Sequence, residues 1–149
     1  MTSPDSERQT SPPVILLVEN NRFLSEMMCE WMRSSGYQVQ SAGDEREALR
    51  ALGAQRFDLV LLDLDLNLNR GEGLSLLASV ESKLSGASLV LLTGAVNYDD
   101  VLARIPVQAP CVKVEKPYSF FALGLVMKSV LARSRPGNDK SGPRHAACW

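Results

Sequence analysis

The run Phe57-Asp58-Leu59-Val60-Leu61-Leu62-Asp63 constrains this chain more than any other segment. It is short, branched and aliphatic, with no helical period, so it reads as a strand buried on both faces. A strand of that kind belongs to a sheet covered by helices on either side. Its terminal carboxylate, Asp63, stands where open α/β sheets bind ligands, in the crevice above the carboxyl ends of the strands.

The neighbouring segments repeat the pattern. Val14-Ile15-Leu16-Leu17-Val18 runs into Glu19-Asn20, Leu89-Val90-Leu91-Leu92 into Thr93, and Cys111-Val112-Lys113-Val114-Glu115 into Lys116-Pro117. Helical patterns lie between the strands. Phe23-Leu24, Met27-Met28 and Trp31-Met32 recur with a 3.6-residue period. Asn20 or Asn21 caps that helix and Gly36 ends it. Tyr37-Gln38-Val39-Gln40 alternates as a half-exposed outer strand should. Asp44-Glu45-Arg46-Glu47 opens a second helix in the manner of a capping box, with Ala48, Leu49 and Leu52 inside. Leu74, Leu76-Leu77, Val80 and Leu84 form the face of a third. Tyr98 to Arg104 leaves room for only a short helix before Pro106 and Pro110, and Ser119 to Arg133 carries the last. Strict alternation of strand and helix implies a parallel sheet with right-handed crossovers and helices on both faces.

Composition sets the outer bounds. The 149 residues are 45% hydrophobic and 22% charged, enough for one core and not two. A net charge of −1 leaves no electrostatic footprint for nucleic acid. No apolar stretch is long enough to span a membrane and no secretory leader pattern opens the chain, which makes the cytoplasm the expected location. Cys29, Cys111 and Cys148 have no framework spacing, so Cys29 and Cys111 read as small buried hydrophobes. Residues 1–13 and 135–149 are rich in breakers and polar side chains and are expected to be disordered tails around a domain at 14–134.

Acid with amide, acid, hydroxyl and lysine, in that order at one edge of one sheet, form a phosphoryl-transfer constellation. The arrangement resembles the receiver domain of two-component response regulators, over about 120 residues, the length of one domain. The resemblance implies a flavodoxin-like three-layer (βα)5 sandwich with a five-stranded parallel sheet of order 2-1-3-4-5. It implies that Asp63 accepts a phosphoryl group from a histidine kinase or phosphotransfer protein. Glu19, Asn20, Asp63 and Asp65 would hold Mg²⁺, Asp65 through its backbone carbonyl, and any catalysis by the domain itself would be Mg²⁺-dependent self-phosphorylation and self-dephosphorylation. Lys116 and Thr93 would each meet a phosphoryl oxygen. Pro117 matches a peptide bond that is usually cis in the family and aims the lysine. The receiver is expected to stand alone and to signal by contact with a downstream protein, without binding nucleic acid or membrane; a homodimer is a further partner consistent with the resemblance.

Each residue also has a bland reading: Glu19-Asn20-Asn21 as a capped turn, Thr93-Gly94 as a loop start, Lys116 as a surface lysine. Jointly, independent accidents would have to place four polar groups at four strand ends in the right order. The sequence nonetheless departs from the family pattern. Asn20 is neutral where a second carboxylate is usual, Lys113 stands near the usual switch aromatic, and the loop from Leu64 to Gly73 lacks its common proline. These departures support an alternative, a pseudo-receiver that binds partners without phosphate. Asp63-Leu64-Asp65, Thr93 and Lys116 also resemble the motif order of haloacid-dehalogenase-type phosphatases. Against that, the nucleophile of those enzymes follows the first strand, and only Asp139 follows the lysine as an acid. A dinucleotide-binding fold is weaker still, because Glu19-Asn20-Asn21-Arg22 contains no glycine.

Overall fold

The computed structural model describes residues 11–64, 72–94 and 111–134. Five strands form one parallel sheet: β1 (Val14–Val18), β2 (Gln38–Ala42), β3 (Leu59–Asp63), β4 (Ser88–Thr93) and β5 (Cys111–Glu115). Their order is β2-β1-β3-β4-β5, the order that the resemblance implied. Helices α1 (Arg22–Ser34), α2 (Glu45–Ala54), α3 (Glu72–Glu81) and α4 (Phe120–Ser134) are described between and after the strands. The expected short helix at Tyr98 to Arg104 and most of both tails lie outside the described residues.

Strand side chains alternate between two cores. Ile15, Leu17, Leu59, Leu61, Val90 and Leu92 meet Met28 and Met32 of α1 and Leu123, Met127, Val130 and Leu131 of α4. Leu16, Val18, Val60, Leu62, Leu89 and Leu91 face the other way, onto Ala48 and Ala51 of α2 and Leu76, Leu77 and Val80 of α3. The central strands are therefore apolar on both faces, which is why they carry no polar alternation. β2 lies at an edge, with Gln38, Gln40 and Ser41 exposed, as its alternating sequence requires.

Local signals place the helix ends. The Asn21 side chain accepts from the Leu24 amide at 3.0 Å, so Asn21 rather than Asn20 is the cap. Gly36, at φ 97°, turns the chain out of α1. Asp44 accepts from the Glu47 amide at 2.8 Å, and the Glu47 carboxylate reaches back to the Gly43 amide at 2.6 Å.

Three expectations need correction. In α1 the buried set is Ser25, Met28, Cys29 and Met32, while Phe23 and Met27 are exposed. In α2 the residues fully inside are Ala48 and Ala51, with Leu49 and Leu52 only half-buried. Cys29 is a free buried thiol and Cys111 is buried in the core, both as expected, but Cys111 is disulfide-bonded. No helix among the described residues is long and apolar enough to cross a membrane.

Candidate functional site

The carboxyl ends of β1, β3, β4 and β5 converge on one edge of the sheet. The register pairs Val18 with Leu62, and one step further along both strands Glu19 comes beside Asp63. Both are buried, each about 3% exposed. On the other side of β3, Asp63 pairs with Leu92, immediately before Thr93, which is also buried. Thr93 pairs with Glu115, and its carbonyl accepts the Lys116 amide at 2.8 Å. Strand pairing alone thus brings Glu19, Asp63, Thr93 and Lys116 to adjoining strand ends.

Lys116 closes the arrangement. Its Nζ donates to Asp63 Oδ1 at 2.8 Å, an ion pair whose carboxylate is buried and whose ammonium side chain is 29% exposed. The following Lys116-Pro117 peptide is cis. Tyr118, a residue that motif reasoning passed over, fixes the same loop to α1 by donating its hydroxyl to Met28 Sδ at 3.8 Å. Burial pushes the Tyr118 phenol up, and its electrostatic neighbours are Lys116, Glu19 and Asp63. Its position two residues beyond the lysine was the available signal.

Glu19 carries the clearest electrostatic signature. Burial, together with the facing Asp63, pushes its carboxyl up to about 7, against the opposing pull of the Asn21 amide and Lys116. Glu19 Oε1 accepts from the Asn21 amide at 3.0 Å, whereas buried Oε2 has no hydrogen-bond partner. Two inward carboxylates, one with an orphaned oxygen, make a donor set suited to a hard cation that retains several waters. Among the described residues no three His, Cys, Asp or Glu side chains gather as a fuller ligand set. Asn20 is exposed at the lip of this cluster and contributes no charge, and Asp65 lies outside the described residues.

The raised Glu19 carboxyl makes stability depend on pH. A folded-state value near 7, above the ordinary 4.5, means that the folded protein holds this proton more tightly than the unfolded chain. The contribution is present in full below pH 4.5 and is lost as pH rises through 7. Glu19→Gln should remove it. Between pH 5 and 8 in the absence of divalent metal, wild type should lose on the order of 2 kcal/mol relative to Glu19→Gln. Parallel urea curves for the two proteins would contradict this account of the site.

Residues 15–122 match the family described as response regulator receiver domain. The probable transcriptional regulatory protein TcrX of Mycobacterium tuberculosis is 30% identical over 131 residues, covering 88% of this chain and 55% of that protein. The transcriptional regulatory protein GlrR of Escherichia coli is 28% identical, over 87% of this chain and 28% of its own length. This chain therefore spans about half or less of these curated relatives. Among solved structures, a CheY-like receiver domain protein from Methanospirillum hungatei superposes with a TM-score of 0.72 at 22% identity, covering 83% of this chain and 97% of the other. The response regulator TrrA of Thermotoga maritima, in complex with Mg(2+)-BeF, superposes with a TM-score of 0.64 at 25% identity, over 79% and 98% of the two chains.

Proposed function

This chain belongs to the response regulator receiver family, and we propose that it accepts a phosphoryl group on Asp63 from a histidine kinase or phosphotransfer protein. The observation that carries this reading is the buried Asp63 carboxylate held by Lys116 beside Glu19. Residues 14–134 form the functional unit, and within them output runs through protein contact in the cytoplasm.

The chemistry follows from the charges. A carboxylate oxygen of Asp63 attacks the donor phosphorus in line. The new O–P bond forms as the donor N–P bond breaks, and the leaving imidazole nitrogen keeps the electron pair. Negative charge on the phosphoryl oxygens grows next to the Lys116 ammonium, already fixed on Asp63 Oδ1. Thr93 supplies a hydroxyl donor from the adjoining strand end. Glu19 and Asp63, with Asn20 and Asp65, are the residues that would hold Mg²⁺, which neutralises charge on the nucleophile and the incoming oxygens. Burial of Asp63 keeps bulk water from the acyl phosphate once it has formed.

Incubation with a small phosphodonor and millimolar Mg²⁺ should add one acid-stable, base-labile phosphoryl mass. No modification with any donor would favour the pseudo-receiver reading, for which the exposed, neutral Asn20 is the specific support. The phosphatase reading needs an acid after the lysine, and residues 117–134 contain none.

Asn20 also yields a quantitative expectation. Asn20→Asp adds a carboxylate at the solvent side of the pair and should tighten Mg²⁺ binding several-fold, on the order of 1 kcal/mol in a partly solvated site. Isothermal titration giving equal affinities for the two proteins would remove Asn20 from the metal site.

A further inference from the structure

We propose that the cleft between α1 and the edge strand β2 binds a small amino-acid disulfide and exchanges it onto Cys29. On α1, Ser25, Cys29 and Arg33 recur at i, i+4 and i+8, so they share one side of the helix. On β2, Ser41 lies two residues from Val39, which packs against the core of Met28 and Met32. Alternation along the strand therefore turns Ser41 toward α1 as well. These residues, with Glu26 and Glu30, line a cleft of about 410 Å³. Small-molecule sites span roughly 300–1,000 Å³.

The lining holds polar and reactive groups that the fold leaves unused. Cys29 is 4% exposed and a free thiol, whereas Cys111 is disulfide-bonded. Ser25 is 7% exposed, and among the described residues its hydroxyl has no hydrogen-bond partner. A buried hydroxyl left without a protein partner calls for a polar group in the cleft. A metal ion does not answer that need, since among the described residues no three His, Cys, Asp or Glu side chains gather.

The rim sets the ligand class. Glu26 is tied to Arg22 at 3.3 Å, whereas exposed Glu30 has no ion-pair partner among the described residues. Arg33 donates one N–H to the Val39 carbonyl at 3.1 Å and keeps its charge and its other donors. An amino-acid disulfide offers an ammonium to Glu30, a carboxylate to Arg33 and a sulfur to Cys29. In the exchange the Cys29 thiolate attacks one sulfur of the small disulfide. The new S–S bond forms as the old one breaks, and the departing sulfur keeps the electron pair. That sulfur takes up a proton in place of the one Cys29 released, so no further oxidant is needed. The cleft borders the acidic site, because Ala42, beside Ser41, accepts the Glu19 amide at 2.9 Å. Exchange itself needs neither metal nor phosphate, and Asp63→Asn should take the adduct as wild type does.

Intact mass and peptide mapping of the full chain test it, after incubation with L-cystine or with neutral hydroxyethyl disulfide at equal concentration. Folded wild type should gain one cysteinyl group at Cys29, and dithiothreitol should remove it. The ratio of the cystine rate to the neutral rate at Cys29 isolates recognition, because changes in thiol reactivity cancel. Glu30→Gln and Arg33→Gln should each lower that ratio by about threefold, with circular dichroism verifying that each variant is folded. A folded protein that stays unmodified at Cys29 overturns the proposal and leaves the thiol as core alone; modification of the urea-unfolded chain verifies the reagent. A ratio equal in wild type and both variants also overturns it, since the thiol is then accessible without a binding cleft.

Discussion

Asp63→Asn should abolish phosphoryl incorporation, lowering it by at least about a thousandfold to background. The substitution keeps the size and shape of the side chain. An amide oxygen can still accept from Lys116 Nζ, which now lies 2.8 Å from Oδ1, so the Lys116 loop has no reason to move. What disappears is the charged nucleophile. A neutral amide has neither the electron density to attack phosphorus nor the charge to attract a cation to Glu19. Intact-mass spectrometry after incubation with a small phosphodonor reads the loss directly, and a fold check by circular dichroism separates it from unfolding. Full incorporation into Asp63→Asn would put the acceptor on another carboxylate and end the assignment of Asp63.

Lys116→Met should destabilise the metal-free protein by about 1–3 kcal/mol at pH 8, with a much smaller effect at pH 5. The lysine is the one cation seen in hydrogen-bond contact with the buried pair formed by Glu19 and Asp63 among the described residues. Without it, two carboxylates remain buried side by side, and Asp63 raises the proton affinity of Glu19 without the opposing pull of the lysine. The folded state then holds protons that the unfolded chain has released. Stability survives at low pH and falls as pH rises through the raised folded-state value of Glu19, the same sign as in the wild type. The size is set below that of a fully buried pair because the lysine side chain is 29% exposed and its attraction is partly screened. Lys116→Met combined with Asp63→Asn removes one of the two carboxylates and should recover most of the loss. Urea denaturation of the four proteins at both pH values makes a double-mutant cycle. A cycle with no coupling between positions 63 and 116 would mean that the contact stabilises nothing.

The two experiments interrogate the same cluster in different ways. The first removes the reacting group and leaves the packing intact; the second removes the counter-charge and leaves the nucleophile. A receiver that signals by phosphorylation needs both results. A pseudo-receiver could retain the second and fail to incorporate phosphate even as wild type, because the stability of the charge cluster does not require chemistry.

What the chain states outright is the alternation of buried strands with helical segments and the polar residue at the end of each central strand. β1 begins and ends where its apolar run does, since a strand covered on both faces must be apolar throughout and stops where a charge or turn appears. The caps at Asn21 and Asp44 and the turn at Gly36 are equally local, because each satisfies backbone groups within three or four residues. Strand order was not local; it entered through the resemblance, since alternation is compatible with several orders.

Tertiary structure decided which groups meet and which are buried. Glu19 and Asn20 are adjacent in the chain, yet one is sealed against Asp63 and the other faces solvent, because the register of β1 on β3 turns only Glu19 inward. Lys116 reaches Asp63 across 53 positions of sequence, a contact that no local pattern encodes. In α1 the period announced a helix with apolar residues on more than one side, but not which stripe would face the sheet. The inner stripe formed around Met28 and Met32, admitting Ser25 and Cys29 where the space is small. Phe23 and Met27 were left outside because a helix has one face toward its sheet, and the neighbours on that face, rather than hydrophobicity alone, determine which side chains fit.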